Sequence, residues 1–279
     1  MMKKQTLVLM LACLTIVAIL VFIFFMKDTR AKPLFEATSA LVLDAKEDKT
    51  LLSQNENKAV PIASLTKLMT TYLVLEAVHT KKLAWDEMLS LRYLDDPQAV
   101  SLYAKTGVKY YTAQDLFAAM LIMSANDAAE ALASQVDEKN FVDKMNAKAH
   151  EFGMSDKTHF SSASGLDEAG DISVSTAADL MILTKRLLKD YPEVLETTSR
   201  SEYVMQKGDS IQTTNKVLAD GLVQGMDGLK TGYTDQAGYC LIATAVQNGK
   251  RIISISLGSK NEKERMSDAQ TLIDFGFSK

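Results

Sequence analysis

Hydrophobic periodicity changes twice along this 279-residue chain, and the order of the changes limits the folds open to it. Residues 39–44 and 50–54 are short apolar runs around a polar turn (45–49), the pattern of a β-hairpin. The period then lengthens. Leu65, Leu68, Met69, Tyr72 and Leu75 repeat at three and four residues and mark a helix from just after Pro61 to about residue 78. Thr112-Ala113-Gln114-Asp115 resembles a capping box and opens a helix carrying Leu116, Phe117, Met120 and Leu121, and Asp127 is placed to cap another. A helix over 138–152 ends at Gly153, and one from about 175 to 189 stops at Pro192; residues 80–111 read as loops and short strands. Strands return at 202–206 and 210–214, then at 238–246 and 251–257, the last two joined by Gln247-Asn248-Gly249. A final helix covers about 262–274. Strands at both ends with helices between predict an α+β body whose mainly antiparallel sheet is closed by the terminal segments.

Ahead of this body, residues 6–26 form 21 consecutive positions without a charge. About 20 such residues cross a bilayer core as a helix. Lys3 and Lys4 precede the run and Lys27, Asp28, Arg30 and Lys32 follow it, so charge asymmetry does not set the orientation. The run is long for a signal-peptide core and bulky to its end (Phe22 to Met26), which favours an uncleaved anchor over a signal peptide. The chain thus divides into a short tail (1–5), an anchor or signal (6–26), a linker (27–35) and a body (36–279). Retention of the run would leave the body tethered to a membrane, and removal of residues 1–32 would leave it secreted.

Without residues 1–32 the chain keeps 26 Lys+Arg against 34 Asp+Glu, a formal net charge of −8. Nucleic-acid binding calls for a basic footprint, which an acidic body lacks. Cys13 falls inside the apolar run and Cys240 on a predicted strand, so there is no disulfide framework. His79, His150 and His159 lie far apart and show no metal-ligand spacing, and no cofactor is expected.

Three short signals carry chemistry: Ser64-Leu65-Thr66-Lys67 at a helix start, Ser124-Ala125-Asn126 between two helices, and Lys230-Thr231-Gly232 on a strand. Ser64 and Lys67 share one face of a helix. A serine hydroxyl needs a neighbour to take its proton before it attacks, and a lysine serves only when burial or nearby cations lower its pKa. Singly, each signal is short enough to be a solvated pair, a cap or a strand end. In this order they match the motif set of penicillin-binding proteins and serine β-lactamases.

The flanks extend the match. Ile62 to Met69, Met123 to Ala128 and Asp227 to Tyr239 resemble the low-molecular-mass penicillin-binding proteins, specifically the serine D-alanyl-D-alanine carboxypeptidases. The resemblance covers roughly residues 33 to 279 and implies a β-lactamase/transpeptidase-like fold. It implies removal of the terminal D-alanine from peptidoglycan stem pentapeptides through an acyl-enzyme, and covalent inhibition by β-lactams. By resemblance Ser64 is the nucleophile, Lys67 its base and Ser124 a proton relay, while Asn126 holds the substrate amide. Lys230 supplies positive charge that lowers the pKa of Lys67, and Thr231 binds the terminal carboxylate. Gly232 allows close approach, the backbone N–H groups of Ser64 and Tyr233 form the oxyanion hole, and Arg265 matches a carboxylate-binding arginine near the start of the last helix. Tyr233 stands where some relatives carry His, and the chain ends at Lys279 where many continue into a further β-rich domain.

Alternatives use the same motifs. A class A β-lactamase carries a Glu-x-x-Leu-Asn loop for deacylation, which Glu193-Val194-Leu195-Glu196 does not reproduce. A peptidoglycan endopeptidase uses the same site on a larger leaving group. A catalytically silent cell-wall binding protein would have lost a catalytic residue, and none is lost. On its own, Arg265 reads as a solvated helix charge, and Asp227 and Asp235 as turn or capping residues.

Overall fold

A computed structural model describes residues 32–166 and 170–279. The apolar run 6–26 lies outside the described residues; among those described, no helix is long and apolar enough to cross a membrane. Phe35–Lys279 forms one compact unit.

In chain order, β1 (Ser39–Asp44) and β2 (Lys49–Gln54) form the expected hairpin, and β3 is Val60–Pro61. One 3-10 turn (Ala63–Thr66) then leads into α1 (Lys67–His79). Next come β4 (Met88–Ser90), α2 (Leu102–Thr106), β5 (Tyr110–Thr112), α3 (Ala113–Ile122), α4 (Asn126–Asp137), α5 (Phe141–Glu151), β6 (Val174–Ser175), α6 (Ala177–Asp190) and α7 (Val194–Thr198). The chain closes with β7 (Glu202–Val204), β8 (Ser210–Gln212), α8 (Lys216–Ala219), β9 (Met226–Thr234), β10 (Gly238–Gln247), β11 (Lys250–Ser259) and α9 (Glu262–Phe277).

The main sheet runs β2-β1-β11-β10-β9, antiparallel throughout, so the first strand pairs with the last. Alternate residues of a strand face opposite ways, and here both faces are covered. Leu41, Leu43, Ile242, Ile253 and Ile255 join the helical core on one side. Ala40, Val42, Leu241, Ala243 and Ile252 pack with Ala269, Leu272 and Ile273 of α9 on the other. Because β9 ends the sheet, one long edge stays open beside the 3-10 turn.

Several local expectations change. Pro61 belongs to β3 rather than to a helix start, and Ser64 sits in the 3-10 turn instead of on α1. Residues 80–111 also hold the short helix α2, capped by the Ser101 hydroxyl on Ala104 N–H. Asp127 does not cap α4, whose N-cap is Ala125. Its carboxylate instead accepts from Ser101 Oγ and the N–H groups of Leu102 and Tyr103, tying α2 to α4 across the chain. The final helix runs on to Phe277.

Candidate active site

The 3-10 turn places Ser64 where β9 and a loop meet. On one side Gly232 brings β9 against the turn's backbone: a Cβ there would stand 3.0 Å from Ile62 O and 3.3 Å from Leu65 N. On the other, Gly165 (φ +75°) is pressed so tightly that a Cβ would lie 2.1 Å from Ala63 O. Only glycine fits that approach and that φ together.

From the next turn Lys67, fully buried, brings Nζ to 2.7 Å from Ser64 Oγ and donates to Ser164 O at 2.6 Å. Burial lowers its pKa to about 7, against the opposing pull of the Glu130 and Asp127 carboxylates. Burial, rather than Lys230, is therefore the leading cause of this shift. The repulsion between the lysines falls on Lys230, which is driven well below the lysine range by burial first, then by Lys67 and Arg265.

Ser124 sits between α3 and α4 with φ +66°, a conformation uncommon for a residue with a Cβ. It is held by its neighbours, since Ala125 N–H donates to Ala119 O and Asn126 N–H to Val100 O. Lys230 Nζ reaches across to Ser124 Oγ at 2.8 Å and to Thr231 O at 2.9 Å. Asn126 Oδ1 accepts from Val100 N–H at 2.9 Å, which leaves Nδ2 as the donating end of this cleft residue.

Ser64, Ser124, Asn126, Thr231, Gly232, Tyr233 and Arg265 line one cleft of about 420 Å3. Lys67 and Lys230 lie behind its wall and enter through Ser64 and Ser124. Every site residue expected from the motifs is thus brought together. Arg265 is no solvated helix charge. It is 6% exposed, its guanidinium stacks 5.3 Å over the Tyr239 ring, and it pairs with Glu262 at 3.0 Å. Tyr233 is half exposed, packs on Tyr239 at 4.3 Å and donates to Asp235. Asp227 forms a two-pronged ion pair with Arg251, at 2.9 and 2.7 Å, that braces β9 on β11. Cys240 is buried on β10, where burial raises its thiol pKa to about 11.

Motif reading did not find Ser164, whose carbonyl holds Lys67, or Thr214, whose Oγ1 lies 2.6 Å from Thr231 Oγ1. It also missed Gln98, Val100, Lys216 and Glu262 on the cleft wall. Among the described residues, no cluster of His, Cys, Asp or Glu is placed to hold a metal ion.

Comparison with known proteins places this geometry. D-Alanyl-D-alanine carboxypeptidase DacF of Bacillus subtilis is 33% identical over 250 residues, which cover 87% of this chain and 62% of the relative. D-Alanyl-D-alanine endopeptidase of Escherichia coli is 30% identical over 88% of this chain and 78% of its own. The first four curated relatives are matched over 62–64% of their length, so the chain spans less than two thirds of each. Penicillin-binding protein D2 of Listeria monocytogenes, solved with cefotaxime bound, superposes with a TM-score of 0.86 at 49% identity, covering 89% of this chain and all of that one. The α+β body therefore has the penicillin-binding protein fold with its antiparallel sheet. The profile described as D-alanyl-D-alanine carboxypeptidase matches residues 26–261, and the chain belongs to that family.

Proposed function

We propose that this protein is a serine D-Ala-D-Ala carboxypeptidase that removes the terminal D-alanine from peptidoglycan stem peptides through an acyl-enzyme on Ser64. One observation carries the reading: two buried lysines each meet a serine hydroxyl, Lys67 at Ser64 and Lys230 at Ser124, on the wall of a single cleft.

The chemistry follows from that pairing. Two ammonium groups this close and this buried disfavour the doubly protonated state. With Lys67 neutral, its lone pair takes the Ser64 proton as Oγ bonds to the carbonyl carbon of the penultimate D-Ala. The N–H groups of Ser64 and Tyr233 stabilise the oxyanion, Tyr233 lying on the open edge of the sheet. The C–N bond then breaks, its electron pair stays on nitrogen, and Ser124 passes on the proton that Lys67 had taken. D-Ala leaves, and water, with Lys67 again accepting a proton, hydrolyses the Ser64 ester. Asn126 Nδ2 donates to the substrate amide. The terminal carboxylate is received by Thr231, Lys230 and Arg265, and its charge draws Lys230 back toward the protonated form.

β-Lactams acylate the same serine in this scheme and leave slowly, because no Glu-x-x-Leu-Asn segment supplies the class A deacylation base. Residues 6–26 anchor the body, held at 36–279, outside the cytoplasmic membrane; the uncharged length of the run supports this. The test is D-Ala release from a pentapeptide by the wild type beside Ser64→Ala. Release by wild type alone agrees with the proposal. Equal release by a folded Ser64→Ala variant contradicts it.

A further inference from the structure

Arg265 has a standing rival for the ligand it is placed to hold. Glu262 and Arg265 occupy the first two turns of α9, three residues apart, and both line the cleft with Thr231. Glu262 Oε1 accepts from one terminal nitrogen of the guanidinium at 3.0 Å, and among the described residues the guanidinium makes no other hydrogen bond. The burial of the two partners differs sharply: the Arg265 side chain is 7% exposed and the Glu262 side chain 49%. Arg265 is therefore fixed, by Tyr239 beneath it and by its own burial, whereas Glu262 can swing into water. Glu262 is also the one carboxylate among the described residues that line this cleft.

We propose that Glu262 is a specificity-determining residue that competes with the terminal carboxylate of substrate and product for Arg265. It acts through Arg265 and touches no reacting atom. Resting on the carboxypeptidase reading above, this adds a physical role: the Arg265 charge is balanced when the cleft is empty, and bound carboxylate is held less tightly than an unpaired arginine would hold it. The departing D-alanine carries that same carboxylate. Its release frees the cleft for the water that must reach the Ser64 ester.

Glu262→Gln tests this, since the amide oxygen can keep the hydrogen bond while the charge is lost. Wild type and variant are compared in D-Ala release from an acyl-Lys-D-Ala-D-Ala peptide, with its carboxyl-amidated analogue as a competitive inhibitor. A half-exposed ion pair contributes modestly, so KM for the acid should fall about two- to fivefold in Glu262→Gln. The inhibition constant of the amide should not move, kcat should change less than KM, and the KM difference should narrow with added salt. An unchanged or higher KM for the acid, or an equal shift for acid and amide, overturns the proposal. Failure of wild type to release D-Ala would instead overturn the carboxypeptidase reading, and this inference with it.

Discussion

Lys230 Nζ and Ser124 Oγ stand 2.8 Å apart although 106 positions separate them in the chain. The contact joins the edge strand β9 to the α3–α4 junction, and it aims a buried amine at a hydroxyl held in a strained backbone conformation. If Ser124 relays the proton to the leaving nitrogen, Ser124→Ala should slow penicillin acylation about 10²- to 10⁴-fold, the range for loss of a general acid. Stopped-flow acylation, with a melting curve to establish folding, measures this. A rate within threefold of wild type would remove Ser124 from the mechanism.

With Lys67 as the proposed base, its protonation sets the expected pH dependence. Its pKa lies at about 7, below the ordinary lysine value, because burial disfavours the charged form. A base acts only when unprotonated, so acylation should rise tenfold per pH unit below about 7 and level off above it. Lys67→Met should abolish both the rise and the labelling. A profile rising only near pH 10 would show that the lysine is not depressed.

Thr214 is expected to set the orientation of the Thr231 hydroxyl. Each hydroxyl has one proton, so Thr231 can donate to a substrate carboxylate only while Thr214 donates to Thr231 across their 2.6 Å contact. Thr214→Val should raise KM for carboxylate-ended peptides about two- to tenfold, the worth of one hydrogen bond. Thr214→Ser should restore it. Steady-state kinetics on the two variants decides the point.

Gly165 supports the turn that carries Ser64 from behind. An alanine there would drive its Cβ to 2.1 Å from Ala63 O, at φ +75°. Gly165→Ala should destabilise the body by about 2 kcal/mol or more and displace Ser64, so melting temperature and acylation rate should fall together. A variant that keeps both would show that the loop yields without moving the turn.

Much of this was legible in the sequence, for identifiable reasons. The sheet was legible because β1, β10 and β11 are apolar runs of strand length bounded by turn residues, with Asn248-Gly249 joining the last two. Ser64, Lys67, Ser124, Lys230 and Thr231 are legible because each belongs to one of three short motifs that follow in a fixed order. The remainder depends on contacts between distant segments. Asp127 looked like a local cap, but its oxygens serve a helix start 25 residues upstream. Without the resemblance Arg265 reads as a surface charge, and only the packing of α9 beside Tyr239 on β10 buries it. Ser164 contributes a backbone carbonyl, which any residue carries, so its identity held no signal.

The proposed function rests on acylation of Ser64 with Lys67 as its base. Intact mass of the purified protein, followed over time with benzylpenicillin beside Ser64→Ala, tests it most directly. A lasting adduct of one penicilloyl unit should form on the wild type and none on the variant. An adduct on folded Ser64→Ala, or rapid loss of drug with no adduct on the wild type, would contradict it.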